Sequence, residues 1–191
     1  MKKYLVLLLL IFCLTGCSDN SEKQKEDKRE EKHYSELINS KEALEILAED
    51  VEAEVLDIET GITFNVKRVI GGFNSLADVE ALTKEDTKKI LEIAGGKWNI
   101  RRRAVIVTVK GRKIAGSIAP FEHSGSEEKP YGEMIDNRSG STGTGLNLDS
   151  IRGNDMIGVV DIFFYNSLVP GINRIDERHQ EKVLEAYEYE G

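Results

Sequence analysis

The charged segment at residues 18–33 sets the strongest limit on what this chain can fold into. It reads SDNSEKQKEDKREEKH and contains six acidic residues, five basic residues and no apolar side chain. A segment with nothing to bury cannot offset the entropy that it loses on ordering. We therefore predict a flexible tether over residues 17–34, with an exposed helix of mixed charge pairs as the alternative. The hydrophobic core must then come from residues 35–191, an ordinary length for a single domain.

The apolar run near the amino terminus predicts a signal peptide. Lys2 and Lys3 precede 11 apolar or aromatic residues, Tyr4 to Leu14. A helix of that length rises about 16 Å, which is roughly half of the hydrocarbon thickness of a bilayer. The run is therefore too short for a comfortable membrane span and typical of the apolar region of a signal peptide.

The residues that close this run are Leu14-Thr15-Gly16-Cys17, and they resemble the lipobox of bacterial lipoproteins. The resemblance implies a lipoprotein signal peptide over residues 1–16, cleavage before Cys17 and a lipid on the Cys17 sulfur. Two or more acyl chains are enough to hold a protein on a membrane. We expect a lipid-anchored protein on the extracytoplasmic face of the cell membrane; the alternative is an ordinary signal peptide that happens to contain cysteine.

Charge and cysteine content exclude several classes of protein. The formal net charge is −8 and the sequence pI is near 5.1. Nucleic acid is a poor partner for so acidic a chain, because phosphate contacts need clustered positive charge. The two cysteines, Cys13 and Cys17, both precede the domain, so it has no disulfide and no thiol for catalysis or zinc binding. We expect no cofactor.

Hydrophobic periodicity predicts an α+β fold with a largely antiparallel sheet, two or three helices and a long glycine-rich loop. Thr83 and Asp86 form a capping box at the start of the clearest helix, and Gly95-Gly96 ends it. Three helices are predicted. The first begins at Ser40, the second covers Thr83 to Ala94 and the third covers Asp176 to Tyr189. The predicted strands are Val51 to Ile58, Ile62 to Val69, Arg103 to Val109, Arg112 to Ile118 and Ile157 to Tyr165, of which the last is expected to be central.

A long loop, about Phe121 to Met156, contains six glycines. Loops of this length are usually functional or disordered. The stretch from Arg138 to Gly145 offers backbone N–H groups that could hold an anion, but it has neither the lysine nor the strand context of a phosphate loop, which favours a plain flexible loop.

The basic cluster Arg101-Arg102-Arg103 is expected to be solvated, with Arg102 or Arg103 paired with a carboxylate.

Several short segments carry a resemblance to a known family. They include Asp57-Ile58-Glu59-Thr60-Gly61, Phe64-Asn65-Val66-Lys67-Arg68, Gly95-Gly96-Lys97-Trp98, Asp136-Asn137-Arg138-Ser139-Gly140 and Asn173-Arg174-Ile175-Asp176. Together they resemble a bacterial cell-wall-associated domain that is often found beside peptidoglycan-binding modules, over about residues 56–183. The resemblance implies a place in the cell envelope rather than a particular activity.

The family pattern is rich in histidine, and this chain departs from it. Leu76, Val159, Phe163 and Pro170 stand where the pattern has imidazoles, whereas Asp78, His123, Asp161 and His179 stand at matching positions. An imidazole and carboxylate set would suit a metal site or acid–base chemistry. Asp78, His123 and Asp161 are therefore candidate remnants of a site that apolar groups have largely filled.

Each of these residues also has a structural interpretation. Asp161 lies in an apolar strand, where it would be costly if buried unpaired, and it is expected to find a cationic or backbone partner or to face solvent. His123 is expected to be an ordinary loop histidine and His179 to have a structural role in the last helix. No metal site is predicted.

These observations favour a non-catalytic module that binds a cell-wall component or another envelope protein. The alternative is a hydrolase or transferase acting on peptidoglycan, with His123 as acid or base beside Asp161 and Asp78. A further alternative is an exclusion or immunity lipoprotein that blocks a wall-targeting partner. The enzyme hypothesis requires that the three residues converge within hydrogen-bond reach in an open cleft. Scattering of the three, or burial behind Leu76, Val159 and Phe163, would exclude it.

Overall fold

The computed structural model describes residues 33–69 and 75–191, all within the compact unit that spans Lys32–Gly191. The predicted signal peptide, Cys17 and the tether up to residue 32 lie outside the described residues. Within the described ranges, no helix has both the length and the apolar character needed to cross a membrane.

Over residues 33–69 and 75–191 the fold is α+β, as predicted, with three α-helices, one short 3-10 helix and ten strands. The helices are α1 (Ser40–Ile46), α2 (Lys84–Ile93) and α3 (Glu177–Tyr187), with the 3-10 helix at Ser139–Ser141. The strands are β1 (Glu52–Asp57), β2 (Thr63–Arg68), β3 (Ala77–Ala81), β4 (Arg103–Val109), β5 (Arg112–Ser124), β6 (Met134–Ile135), β7 (Gly145–Leu146), β8 (Gly158–Phe163), β9 (Leu168–Val169) and β10 (Arg174–Ile175).

Six of the strands close into a barrel in the order β1-β2-β3-β8-β5-β4, and β1 returns to pair with β4. Every neighbouring pair is antiparallel, in agreement with the predicted sheet. The closure itself was not predicted. It removes the exposed edges that an open sheet of these strands would present.

The barrel interior is filled by alternate apolar side chains. Residues two apart on a strand point to the same face, so each strand contributes every second side chain to the core. The largest of them that are fully buried include Phe64, Ile114, Ile118, Ile162 and Phe164. Helices α1 and α2 add Leu44, Leu47, Ile90 and Ile93 to this cluster, whereas α3 packs outside the barrel, where Val183 and Ala186 cover Ala104, Ile106 and Ala115.

The predicted capping box of α2 is confirmed, whereas the cap that was predicted at Ser40 for α1 is wrong by one residue. Thr83 caps α2: its Oγ1 accepts from the Asp86 N–H at 3.1 Å and donates to Asp86 Oδ2 at 2.6 Å. The carboxylate of Asp176 caps α3 by accepting hydrogen bonds from the N–H groups of Arg178 and His179. The cap of α1 is Asn39, whose side chain accepts from the Glu42 N–H, so Ser40 is the first helical residue and not the predicted cap.

The chain joins the domain slightly before the predicted boundary. His33 and Tyr34 were assigned to the tether, yet His33 stacks on Tyr187 with ring centroids 3.9 Å apart. Tyr34 meets the ring of Tyr189 edge-on, and the ammonium group of Lys113 lies over its other side. The end of the tether is therefore held against the C-terminal helix and the residues that follow it.

Arg103 is buried, which corrects the expectation of a solvated cluster, and it pairs with a carboxylate as predicted. Its Nε and Nη2 donate to the two oxygens of Asp57 at 2.7 and 2.6 Å. Asp57 also accepts from the N–H and hydroxyl of Thr60, so the pair is fully hydrogen-bonded. It joins β1 to β4, the two strands whose pairing closes the barrel. Arg102 pairs with Asp176.

We expect Asp57→Asn to lower the free energy of unfolding by about 3 kcal/mol, because it removes the doubly hydrogen-bonded partner of the buried Arg103 and leaves this charge only the half-exposed Glu59, 3.2 Å from its Nη1. Urea titration followed by circular dichroism measures the loss. The matched control is Arg101→Ala, whose guanidinium makes an exposed pair with Glu59 and should cost less than about 1 kcal/mol. Equal losses in the two variants would contradict the role of the buried pair.

Candidate functional site

The candidate site lies on the outer face of the barrel, where β3, β8 and β5 run side by side. Asp78 on β3 is directly opposite Asp161 on β8 in the strand register. The next residues along each strand, Val79 and Val160, point into the core. The two-residue alternation of strands therefore sends both carboxyl groups to the outer face together.

An irregularity in β5 brings His123 to this pair. Ala119 pairs with Asp161 and His123 pairs with Val159, so β5 uses four steps where β8 uses two. The two extra residues form a bulge, which bends the strand and redirects its side chains. His123 Nε2 consequently lies 3.1 Å from Asp161 Oδ1.

Glycines allow the backbone of the loop to pack onto His123. A Cβ on Gly158, whose φ is 103°, would collide with the carbonyl oxygen of His123, and a Cβ on Gly125 would collide with the backbone of Gly158. A Cβ on Gly140 would lie 2.7 Å from the His123 Cβ. At these positions the absence of a Cβ lets the glycine backbone lie closer to its neighbours than any other residue could.

The long loop is hydrogen-bonded to the barrel, in contrast to the plain flexible loop that was favoured. Ser139 Oγ donates to the Ile157 carbonyl at 2.6 Å and accepts from the Gly125 N–H at 2.9 Å. The Arg138 guanidinium donates to carbonyl oxygens of the same loop, those of Thr142, Gly143 and Leu146. The first four residues of the predicted loop belong to β5, and the ribbon β6–β7 lies within it.

A cavity of about 490 Å³ opens between this loop and the barrel wall. Its polar lining brings together the three residues of the predicted remnant site, Asp78, His123 and Asp161. The remaining lining residues are Phe121, Ser124, Arg138, Thr142, Leu146, Leu148 and Pro170. A mostly apolar cavity of this size with a few convergent polar groups is typical of ligand sites.

The predicted apolar substitutions do not seal off the three residues. Val159 packs with Val69 and Leu148 under the loop, and Phe163 stacks on His179 with ring centroids 3.7 Å apart. Leu76 is buried, while Pro170 lines the cavity. Asp161 faces the cavity between the two buried neighbours on its strand, with a quarter of its side chain exposed.

His179 does not take part in the site. Its Nδ1 is 2.9 Å from the hydroxyl of Ser117, and it is almost fully buried between α3 and the barrel. Burial lowers the pKa of His179 to about 4, so the imidazole is neutral near pH 7. It fills the interface of α3 with the barrel.

Ser124 was not among the predicted residues, although it directly follows His123 in the sequence. Its hydroxyl lies 2.9 Å from His123 Nδ1, on the side of the ring away from Asp161. Its φ is 64°, a left-handed conformation that costs a non-glycine residue about 1–2 kcal/mol. The only sequence signal for it is its position between a histidine and a glycine at the start of the loop.

Asp78 and His123 shift each other's pKa, and the charge of Asp161 shifts both. Burial raises the pKa of Asp78 to about 7, and the facing carboxylate of Asp161 adds to the rise, while His123 opposes it. Burial alone would lower the pKa of His123, but the hydrogen bond to Asp161 and the charges of the two aspartates outweigh it and raise that pKa. The cluster therefore exchanges protons near neutral pH.

Comparisons of the chain with protein families, with curated proteins and with solved structures find no match.

We expect Asp78→Asn to change the pH dependence of stability. A carboxyl group whose pKa is raised on folding stabilises the protein below pH 4 and loses that contribution as pH rises to about 7. Asparagine has the same shape and does not ionise. The variant should match the wild type near pH 3 and exceed its free energy of unfolding at pH 8 by roughly 4 kcal/mol at most, since each pKa unit corresponds to about 1.4 kcal/mol.

Urea titration at both pH values measures this difference. Asp136→Asn is the matched control, because Asp136 is an exposed carboxylate of the same loop and accepts from the hydroxyl of Thr144. An Asp78→Asn protein that is less stable than the wild type at pH 8 would contradict the description of the cluster.

Proposed function

We propose that this protein is a lipid-anchored enzyme on the extracytoplasmic face of the membrane. It hydrolyses a bond in a cell-wall polymer or transfers a group from that polymer to an acceptor. The observation that carries the proposal is the convergence of Asp78, His123 and Asp161 in one open cavity. Convergence in an open cleft was the condition that the enzyme hypothesis had to meet, and the lining of this cavity supports it.

The geometry supports proton transfer or activation of water at the polar end of the cavity. One polar atom from each of the three residues lies within 4.8 Å of the other two, so a single oxygen atom can lie within reach of all of them. A nucleophile is activated when a base lies within hydrogen-bond distance of the proton to be removed. Asp161 and Ser124 hold the His123 ring from its two sides and fix its orientation.

The substrate class rests on the cell-envelope inferences together with the shape of the cavity. The lipobox resemblance would place the domain outside the cytoplasm, and the family resemblance points to the cell wall. Phe121, Leu146, Leu148 and Pro170 give the cavity apolar walls, which suit the apolar faces of sugars or short peptide side chains. A wall fragment that contributes one sugar or one amino acid to the cavity would present a bond to the cluster.

A second candidate is the non-catalytic binding module. The apolar side chains at Leu76, Val159, Phe163 and Pro170 support it, because none of them can carry a proton or bind a metal. Such a module would use the same cavity to hold a wall fragment without changing it.

Turnover of wall fragments tests the enzyme. We expect the full chain, purified in detergent, to release new products from peptidoglycan or from its soluble fragments, as detected by liquid chromatography and mass spectrometry. His123→Asn should reduce the rate by about 100-fold or more, because it removes the group that exchanges protons with the nucleophile. Asp136→Asn should leave the rate unchanged.

The outcomes separate the two candidates. Saturable binding of fragments without any product would overturn the enzyme and support the module. Equal rates for the wild type and His123→Asn would contradict the assignment of the reaction to this cavity.

Membrane attachment is tested separately. We expect Cys17→Ser to release the protein from the membrane fraction and to remove the mass of the lipid, because the thioether cannot form. Cys13→Ser is the matched control and should stay attached, since residue 13 lies within the predicted signal peptide. Membrane attachment of Cys17→Ser that equals that of the wild type would contradict the lipobox inference.

A further inference from the structure

We propose that Asp78, His123 and Asp161 bind one divalent transition-metal ion at the polar end of the cavity. The inference deepens the proposed function, because it names the group that would activate water, and it depends on that function only for its catalytic use. The binding of the ion follows from geometry and can be measured without any substrate.

The distances among the three side chains suit a common ion. Two ligand atoms that each lie about 2.1 Å from one ion are separated by roughly 3.0–3.4 Å at octahedral or tetrahedral angles. His123 Nε2 and Asp161 Oδ1 are 3.1 Å apart. An oxygen of Asp78 completes the set, with all three ligand atoms within 4.8 Å of one another. A shift of about an ångström by one aspartate side chain would bring the third atom to ligand distance.

The Asp78 carboxyl group provides a separate reason to expect a cation. It is only 3% exposed and lines the cavity. None of the N–H groups of residues 33–69 and 75–191 donates a hydrogen bond to it, and the group that faces it across the strands is the carboxyl of Asp161. Like charges directly opposite each other on neighbouring strands are destabilising. A bound cation would add positive charge to that of His123 and Arg68, the two cationic groups that already act on Asp78.

The surroundings of His123 match those of a metal ligand. Metal-binding histidines usually use one ring nitrogen for the ion and the other for a hydrogen bond that fixes the ring. The hydroxyl of Ser124 lies 2.9 Å from Nδ1 and can accept a hydrogen bond from it, and in that tautomer the Nε2 lone pair would face Asp161 and be available to an ion. The tight packing of Gly140 on the His123 side chain adds to the restraint.

The donor set selects the class of ion. One imidazole and two carboxylates suit Zn²⁺, Mn²⁺ or Fe²⁺, whereas Ca²⁺ needs six or more oxygen ligands. Three protein ligands leave at least one coordination position, and the cavity lies next to it. An ion held in this way lowers the pKa of its bound water.

Metal titration of the full chain tests the site. The protein is stripped with a chelator, dialysed and titrated with Zn²⁺ in a calorimeter, and Co²⁺ is added in a parallel experiment to record its visible absorption. We expect one Zn²⁺ per chain with a dissociation constant in the micromolar range or below, and a Co²⁺ spectrum typical of nitrogen and oxygen ligands. Bound Zn²⁺ should also raise the melting temperature.

The variants define the ligands. Asp78→Asn and His123→Asn should each weaken Zn²⁺ binding by about 100-fold or more, since changes in the outer shell alone cost roughly 10–100-fold. Ser124→Ala should weaken it by about tenfold, because it frees the ring without removing a ligand. Asp136→Asn should bind like the wild type. Since Asp78→Asn is expected to fold at least as well as the wild type, its loss of binding would report on the site.

Two results would overturn the metal site: no Zn²⁺ binding by the folded wild type, or binding that persists in both ligand variants. In the first case the two aspartates share a proton. The metal site and the proposed function also fail in different ways. Zinc binding without any turnover of wall fragments would overturn the enzyme and leave the metal site, whereas turnover that a chelator does not reduce would overturn the metal site and leave the enzyme.

Discussion

The closure of the barrel depends on β1, which makes hydrogen bonds along both of its edges. One edge pairs with β2 across a short turn, and the other pairs with β4, about 50 residues further along the chain. Once this second pairing forms, all six strands have partners and the apolar side chains have a closed interior to fill. Asp57 and Arg103 lie at that junction, and their buried, doubly hydrogen-bonded contact requires both strands in register. Helices α1 and α2 add apolar side chains to this interior, whereas α3 packs on the outside of the closed wall.

The outer face of the barrel has two parts, one that packs against a helix and one that lines the cavity. On the side of β4 and β5, small apolar residues receive α3 and the contact is dry. On the side of β3 and β8 the glycine-rich loop covers the wall, and here the outward positions are Asp78, Glu80 and Asp161. Glu80 accepts hydrogen bonds from Ser150, Ile151 and Asn154 and so holds the loop down. Asp78 and Asp161 receive no such donors from the loop and face the cavity instead.

Features encoded by neighbouring residues could be predicted, whereas features that depend on distant pairing could not. Thr83 and Asp86 mark the start of a helix because their contacts span only three residues. The alternation in Ile62, Phe64 and Val66 marks a strand for the same reason. Strand β3 was missed because Ala77–Ala81 is buried on both faces and contains two acids, so it shows no alternation. Barrel closure and the bulge in β5 depend on the register between distant strands, and no local pattern contains that information.

The candidate site shows the same division. The resemblance identified Asp78, His123 and Asp161, but only the register of β3, β8 and β5 brings them together, and Ser124 enters through the bulge. The apolar side chains of Leu76, Val159, Phe163 and Pro170 were interpreted as the loss of a site. That interpretation did not take into account that apolar surroundings strengthen the interactions of nearby charges. Electrostatic interactions strengthen as the local dielectric constant falls, and a site that excludes water needs little reorganisation when charge develops.

Leu148, Val159 and Pro170 provide such surroundings for the two carboxyl groups. The site lowers the free energy of unfolding in three ways. Two carboxyl groups face each other, a serine has a left-handed backbone conformation, and three glycines stand where a Cβ has no room. The burial of the apolar barrel interior must offset these costs. A proton or a cation between the aspartates would reduce the repulsion between them. The apolar walls therefore increase the attraction of this cluster for positive charge, and they are as consistent with a working site as with a degenerate one.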